Sequence, residues 1–218
     1  IYCIIDVGLS DVATESAISN MPSEISLIMS PYANSADFWI REARSRGHEI
    51  WLSLPMETKN YPGDDPGPHT LLMQTTEKEN KRKLLWVLGR AKGYVGVVGS
   101  YQTVFMDSLA DMRPILAEVF TRGLGFIDGA NVPNAIPETI AIGMNAPYKS
   151  VDVWIDRPAT KENIEQAFAE LEEIALEQGK AVGILQTLPV SYQQLISWIA
   201  TLQSKNIKLA PLSASTGY

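Results

Sequence analysis

Asp6, Glu57, Asp128 and Asp156 are the carboxylates of this chain best placed for acid–base chemistry, because each stands at or just past the end of a short apolar run rich in β-branched residues. Two carboxylates facing each other across a cleft can protonate a leaving group and activate a water, so Asp6 with Asp128 is compatible with glycoside hydrolysis. Comparable run ends carry Ser53, Ser100, Tyr101 and Gln186, which are hydrogen-bonding groups rather than activated nucleophiles. Tyr32, Tyr61, Tyr101 and Trp154 fall on or near the same predicted face. Aromatic planes beside carboxylates and amides suit a sugar, which presents apolar C–H faces and hydroxyl edges; each ring is equally open to a plain packing role. Asp6 itself has two readings, a catalytic base or a buried carboxylate holding loop amides. Asp128-Gly129 and Asp156-Arg157 are also open to a turn-forming role, and Glu57 to capping the backbone around Pro55.

Other chemistries are excluded by what the chain lacks. It has only two histidines, His48 and His69, so a three-histidine zinc site is impossible. His48 follows the helix-ending Gly47 and reads as structural. A single cysteine, Cys3, permits no internal disulfide and sits inside an apolar run, as a core residue would. No phosphate loop, dinucleotide fingerprint or Gly-x-Ser-x-Gly elbow is present. Eighteen basic against 25 acidic residues give a net charge of −7, and no Lys/Arg stripe offsets it, so nucleic acid is not an expected partner. No apolar run reaches the roughly 18 to 20 residues of a membrane span.

The residues just named need a scaffold that brings run ends together. Apolar runs near 1–5, 25–29, 49–54, 94–98, 124–127, 150–155, 180–185 and 207–210 alternate with amphipathic stretches near 11–20, 35–46, 76–92, 107–122, 134–143, 160–178 and 191–204. The stretch 161–178 is the clearest helix: Ile164, Ala167, Phe168, Leu171, Ile174 and Ala175 share a face, Thr160 is a fitting cap, and Gly179 a fitting stop. Strands alternating with helices imply parallel pairing, since each parallel connection needs a crossover. Seven to eight such units in 218 residues predict an α/β fold, a distorted TIM-like β/α barrel in one domain spanning 1–218. In such a barrel the reacting groups gather at the carboxyl ends of the strands. Asp6, Ser53, Ser100, Asp128 and Gln186 are therefore expected at one end, with Ser213 on the same rim. The stretch from Pro55 to Leu71 holds four prolines and two glycines and is expected to run beside that rim, either bordering a site or as a rigid surface loop.

The blocks Ile4-Ile5-Asp6-Val7-Gly8-Leu9-Ser10, Gly47-His48-Glu49 through Pro55-Met56-Glu57, and Ile207 through Ser213 resemble the divergent polysaccharide deacetylase family. Pro66-Gly67-Pro68 with Leu71, Asp128, and Val153-Trp154-Ile155-Asp156 fit it as well. The resemblance implies a distorted deacetylase-type barrel related to carbohydrate esterases that remove N-acetyl groups from chitin or peptidoglycan. It further implies a divalent metal that polarises the amide carbonyl, an aspartate base, and residence in the periplasm or cell envelope. Measured against that pattern, Asp6 keeps the base position while Val7 replaces the adjoining ligand aspartate. Ser53 stands where a histidine is expected before Leu-Pro-Met-Glu, Ser100 falls in place of an Asn-His-Met-Gly histidine, and Gln186 in place of a Gly-His-Pro histidine. Hydroxyls and an amide are weak neutral ligands, so no metal is expected; the alternative is a hard ion on Asp6, Glu57 and Asp128. The expected function is a catalytically impaired, envelope-associated relative that binds glycan or an N-acetylated oligosaccharide, or serves an envelope protein. The alternative is an active deacetylase or carbohydrate hydrolase remodelled around Asp6.

Overall fold

Alternation along the strands decides the architecture. The computed structural model describes residues 1–130 and 135–216. Eight strands, β1 (Tyr2–Val7), β2 (Ser26–Met29), β3 (Ile50–Leu54), β4 (Gly96–Gly99), β5 (Gly125–Asp128), β6 (Tyr148–Ser150), β7 (Val153–Trp154) and β8 (Val182–Gln186), form one sheet. Every pairing in it is parallel, and the order is β6-β5-β4-β3-β2-β1-β8-β7. Among the described residues seven α-helices supply the outer layer: α1 (Asp11–Asn20), α2 (Ala36–Ser45), α3 (Glu77–Leu88), α4 (Leu109–Thr121), α5 (Ile136–Met144), α6 (Lys161–Gln178) and α7 (Pro189–Leu202). The fold is the expected distorted β/α barrel. Helix α6 begins as its sequence suggests, with the Thr160 hydroxyl accepting from Asn163 N at 3.3 Å, and stops at Gly179 in the left-handed region.

The first and last strands of the sheet are separated in sequence by only Val151 and Asp152. β6 pairs with β5 and β7 with β8, so the curled sheet is drawn together by this short stretch of chain rather than by a ladder. That is why the run expected at 150–155 is two strands: the chain leaves one side of the barrel and joins the other within two residues. The expected strand at 207–210 is not one. It is extended chain tied to the N-terminal residue by two ladder-like bonds, Ile1 N to Lys208 O at 2.8 Å and Ala210 N to Ile1 O at 3.1 Å. Residue 134, where the fifth helical stretch was expected to begin, lies outside the described residues.

Inward and outward residues alternate with period two. Cys3, Ile5, Leu27, Ile50, Leu52, Val97 and Phe126 point outward into the large core beneath the helices. Ile4, Ile28, Trp51, Val98, Ile127 and Ile184 point inward and fill the barrel with Val151, Val182 and Leu212. Trp51 fits there because two neighbours lack side chains. A Cβ on Gly96 would lie 2.2 Å from the indole Cζ3, and one on Gly125 2.9 Å from Cη2.

Candidate functional site

The same alternation builds the site. Two residues beyond the inward apolar position, four strands place a polar residue on the same face: Ile4 then Asp6, Trp51 then Ser53, Val98 then Ser100, Ile184 then Gln186. The apolar layer becomes the floor, and the polar layer lines a cleft of about 420 Å³ at the carboxyl ends of the strands. Asp6, Ser53, Ser100 and Gln186 therefore share one cavity, and Tyr101 joins them. One wall is the proline-rich segment, which contributes Thr58, Lys59, Asn60, Asp64, Asp65 and Pro66. This loop is anchored below by close packing. His69 N donates to the Tyr32 hydroxyl at 3.0 Å, and a Cβ on Gly67 would meet the Tyr32 ring at 2.6 Å. The opposite wall is Trp154 and Arg157.

Asp6 is partly buried and its carboxylate makes no hydrogen bond among the described residues. Burial pushes its pKa up to about 7, against the pull of Arg157 and with a further push from Asp156. A carboxyl titrating near neutrality is able to give or take a proton at physiological pH. Ser100 is not equally available, since its hydroxyl donates to Leu54 O at 3.2 Å and accepts from Met56 N at 3.1 Å. It braces the end of β3. Ser53 and Gln186 make no side-chain hydrogen bond among the described residues, so both groups face the cleft with their bonding capacity unspent.

Three expected binding residues lie outside this cavity, and strand geometry explains the first. Phe126 is outward-facing, so Asp128 two residues on is outward-facing too. It is 1% exposed, accepting from Ala130 N at 2.7 Å and from the Tyr148 hydroxyl at 3.1 Å. The Asp6–Asp128 pair consequently does not share a cleft. Asp156 is buried, receiving Gln186 N at 2.8 Å and the Ser191 hydroxyl at 2.6 Å on Oδ2, while Oδ1 has no hydrogen-bond partner among the described residues. It holds the end of β8 in place. Glu57 accepts from Met73 N at 2.7 Å and so fastens the far end of the proline-rich loop.

Val7 is likewise outward-facing, 3% exposed in the helix-side core with Ile5. A carboxylate at that position would point away from the cleft, so the missing second aspartate is a matter of strand geometry as well as residue type. Ser213, expected on the rim, is at the opposite end, where its N–H donates to Glu49 Oε1 at 2.9 Å. His48 is the structural residue its sequence context suggested, its two ring nitrogens 2.9 and 3.2 Å from Ile25 O and Ile18 O. Among the described residues no three His, Cys, Asp or Glu side chains group so as to hold a metal ion. The donor set thus does not fit the divalent metal that the resemblance implies. Asp6, Glu57 and Asp128 are not brought together either.

Lys59 and Arg157 were not singled out as site residues from the sequence. The available signal was a cation directly after the strand-end pair Ile155-Asp156, and another inside the loop expected to run beside the rim. Arg157 lies 4.4 Å from the centroid of Tyr101 and 4.7 Å from that of Trp154.

A parallel barrel with a polar cleft at its strand ends and a loop over one side is the architecture of deacetylase-type proteins. The sequence profile of divergent polysaccharide deacetylases matches residues 3–216, and the chain belongs to that family. An uncharacterized protein of Escherichia coli strain K12, YibQ, is 21% identical over 188 residues, 86% of this chain; the chain spans 58% of that protein's length. The crystal structure of an uncharacterized protein, ATU2773 from Agrobacterium tumefaciens C58, superposes with a TM-score of 0.93 at 29% identity, covering 98% of this chain and 87% of the other. A mutant of BA3943 from Bacillus anthracis, described as a CE4 family pseudoenzyme with restored enzymatic activity, shares the fold at a TM-score of 0.51 and 9% identity, over 98% of this chain and 65% of its own.

Proposed function

We propose that this chain is a glycan-binding, metal-independent relative of the polysaccharide deacetylases, impaired in hydrolysis and serving the cell envelope. The observation that carries the reading is the make-up of the cleft. One carboxylate and three neutral side chains, Asp6 with Ser53, Ser100 and Gln186, stand where a ligand set would be needed, while the cavity and its aromatic wall are intact. Recognition of a sugar rests on shape, stacking and hydrogen bonds, and these outlive the loss of a metal. The envelope assignment follows the family's role in glycan metabolism. No helix among the described residues is long and apolar enough to cross a membrane.

The test is to titrate the purified protein with chitin and peptidoglycan oligosaccharides while assaying acetate release, with and without Zn²⁺. Saturable binding without acetate release, unaffected by chelator, is the expected result. Absence of saturable glycan binding overturns the reading and favours a protein partner. The elevated pKa of Asp6 supports one second reading, an active carbohydrate hydrolase built around that residue. Acetate or reducing-end release that disappears in Asp6→Asn would establish it. The restored BA3943 mutant, with which this chain shares its fold, is a precedent for the reverse experiment. Ser53→His with Gln186→His, the second paired directly beside Asp6 in the β1–β8 ladder and both lining the same cleft, should raise Zn²⁺ affinity at least 100-fold, and adding Asp6→Asn should abolish the gain.

A further inference from the structure

We propose that the saccharide taken by this cleft carries a carboxylate, and that Arg157 is the residue that receives it. The inference rests on the glycan reading and adds the charge class of the ligand. Arg157 lies over both Tyr101 and Trp154, whose ring centroids are 4.8 Å apart and inclined at 58°. Trp154 is itself fixed, because its Nε1 donates to Gly129 O at 2.8 Å. Both rings lie to one side of the guanidinium, since their centroids are about as far from each other as from Cζ, and its N–H groups have no partner among the described residues. Among the described residues Arg157 forms no ion pair and no side-chain hydrogen bond. Arg41, Arg82 and Arg122 behave differently, each pairing with a helix-surface carboxylate, and Arg90 spends its donors on Pro31 O and Ala33 O.

An arginine resting against two rings is partly oriented before a ligand arrives, and its fork of donors matches a carboxylate in bidentate geometry. Lys59, on the facing loop, is a second cation of the cleft without an ion pair among the described residues. The carboxylates nearby do not take the place of a ligand. Asp6 feels Arg157 without forming an ion pair with it, Asp64 Oδ2 accepts from Asn60 Nδ2, and Asp65 Oδ1 accepts from Gly67 N. Asp64 and Asp65 are exposed on the rim, where they would repel a doubly charged phosphate more than a single carboxylate. Arg157 is exposed at the rim, where a neutral sugar would leave its donors to water and a carboxylate would replace that water with a charge-assisted pair. The unspent groups of Ser53 and Gln186 beside it favour a ligand with hydroxyl edges over an acidic peptide.

The experiment uses a matched pair of probes, N-acetylglucosaminyl-N-acetylmuramic acid and the same disaccharide with its carboxylate converted to a primary amide. A short Glu-rich peptide is a third probe, and binding is measured by calorimetry at pH 7.5 in 50 mM salt. The acid is expected to bind the unmodified protein at least 10-fold more tightly than the amide. Arg157→Gln should erase that preference, bringing acid and amide to equal affinity, and Arg157→Lys should restore part of it. Because the first comparison needs no variant, it stands even if Arg157→Gln misfolds. Equal affinity for acid and amide would overturn the carboxylate assignment and leave glycan binding intact. Binding of neither disaccharide would overturn both readings, and tighter binding of the peptide would overturn the saccharide assignment.

Discussion

The two ends of the barrel hold similar kinds of residue and treat them in opposite ways. At the amino-terminal end, Glu49 Oε1 accepts from Trp51 Nε1 at 2.7 Å and Ser213 N at 2.9 Å, and Ser26 Oγ accepts from Leu212 N at 3.0 Å. The chain's last described residues lie across this opening with Leu212 inserted among the inward apolar side chains, and the polar groups named are consumed in holding them. At the carboxyl-terminal end, Asp6, Ser53, Lys59, Arg157 and Gln186 share a cavity and make no side-chain hydrogen bond among the described residues. A buried polar group is costly unless paired, so a closed end satisfies its donors internally while an end that meets a ligand leaves them available. The contrast is what the proposed glycan site requires of this face.

Substitutions can break or sharpen this contrast. Trp51→Ala should have the largest effect, about 4 kcal/mol of lost stability by urea denaturation, because it removes the side chain that fills the barrel against Gly96 and Gly125. Glu49→Ala should cost about 2 kcal/mol by leaving the indole N–H and the Ser213 N–H without their acceptor, and should speed amide exchange over residues 211–216.

At the cleft the sign should reverse. Asp6 is held protonated in the fold to about pH 7, whereas the unfolded chain ionises it near 3.8, so its contribution is absent below 3.8 and destabilising above. That penalty grows as pH rises from 3.8 to 7 and is constant beyond. Asp6→Asn should therefore stabilise the protein at pH 8 by about 1–2 kcal/mol, a value reduced for solvent screening of a partly exposed group, and leave stability at pH 3.5 unchanged. Thermal unfolding at the two pH values checks both halves. Ser53→Ala should change stability by less than about 0.5 kcal/mol, yet weaken oligosaccharide binding severalfold in the same titrations. A large loss of stability there would mean that Ser53 belongs to the frame.

Much of this was legible in the alternation of the sequence. Continuous apolar runs located seven of the strand regions, and in the folded chain the inward position of Asp6, Ser53, Ser100 and Gln186 follows from counting two residues past Ile4, Trp51, Val98 and Ile184. The same count explains what was harder to read. Asp128 and Val7 share the outward parity of Phe126 and Ile5, a distinction that depends on which residue of each run faces inward, and a continuous apolar run does not reveal that. Ile207 and Leu209 look like strand residues because they are half-buried against the helix-side core, but their stretch pairs only with Ile1, ahead of β1, and the ladder goes no further. Arg157 and Lys59 were least visible. Their interest lies in the absence of partners and the presence of two rings, which only the assembled walls disclose.

The junction at Val151–Asp152 bears on motion. β7 has only two residues, pairing as Val153 with Gly183 and Trp154 with Ile184 of β8, and this short ladder is extended by Asp152 N to Val182 O and Ile155 N to Ile184 O, both 2.9 Å, and by Val182 N to Asp152 Oδ2 at 2.7 Å. Strands β1 to β4, on which Asp6, Ser53 and Ser100 stand, are flanked on both sides by ladders. Local opening therefore costs least where Trp154 and Arg157 are mounted, and amide exchange at 152–155 should outpace that at 3–6. The mouth of the cleft thus has a rigid jaw on one side and a compliant one on the other, and the compliant jaw is the one that carries Arg157.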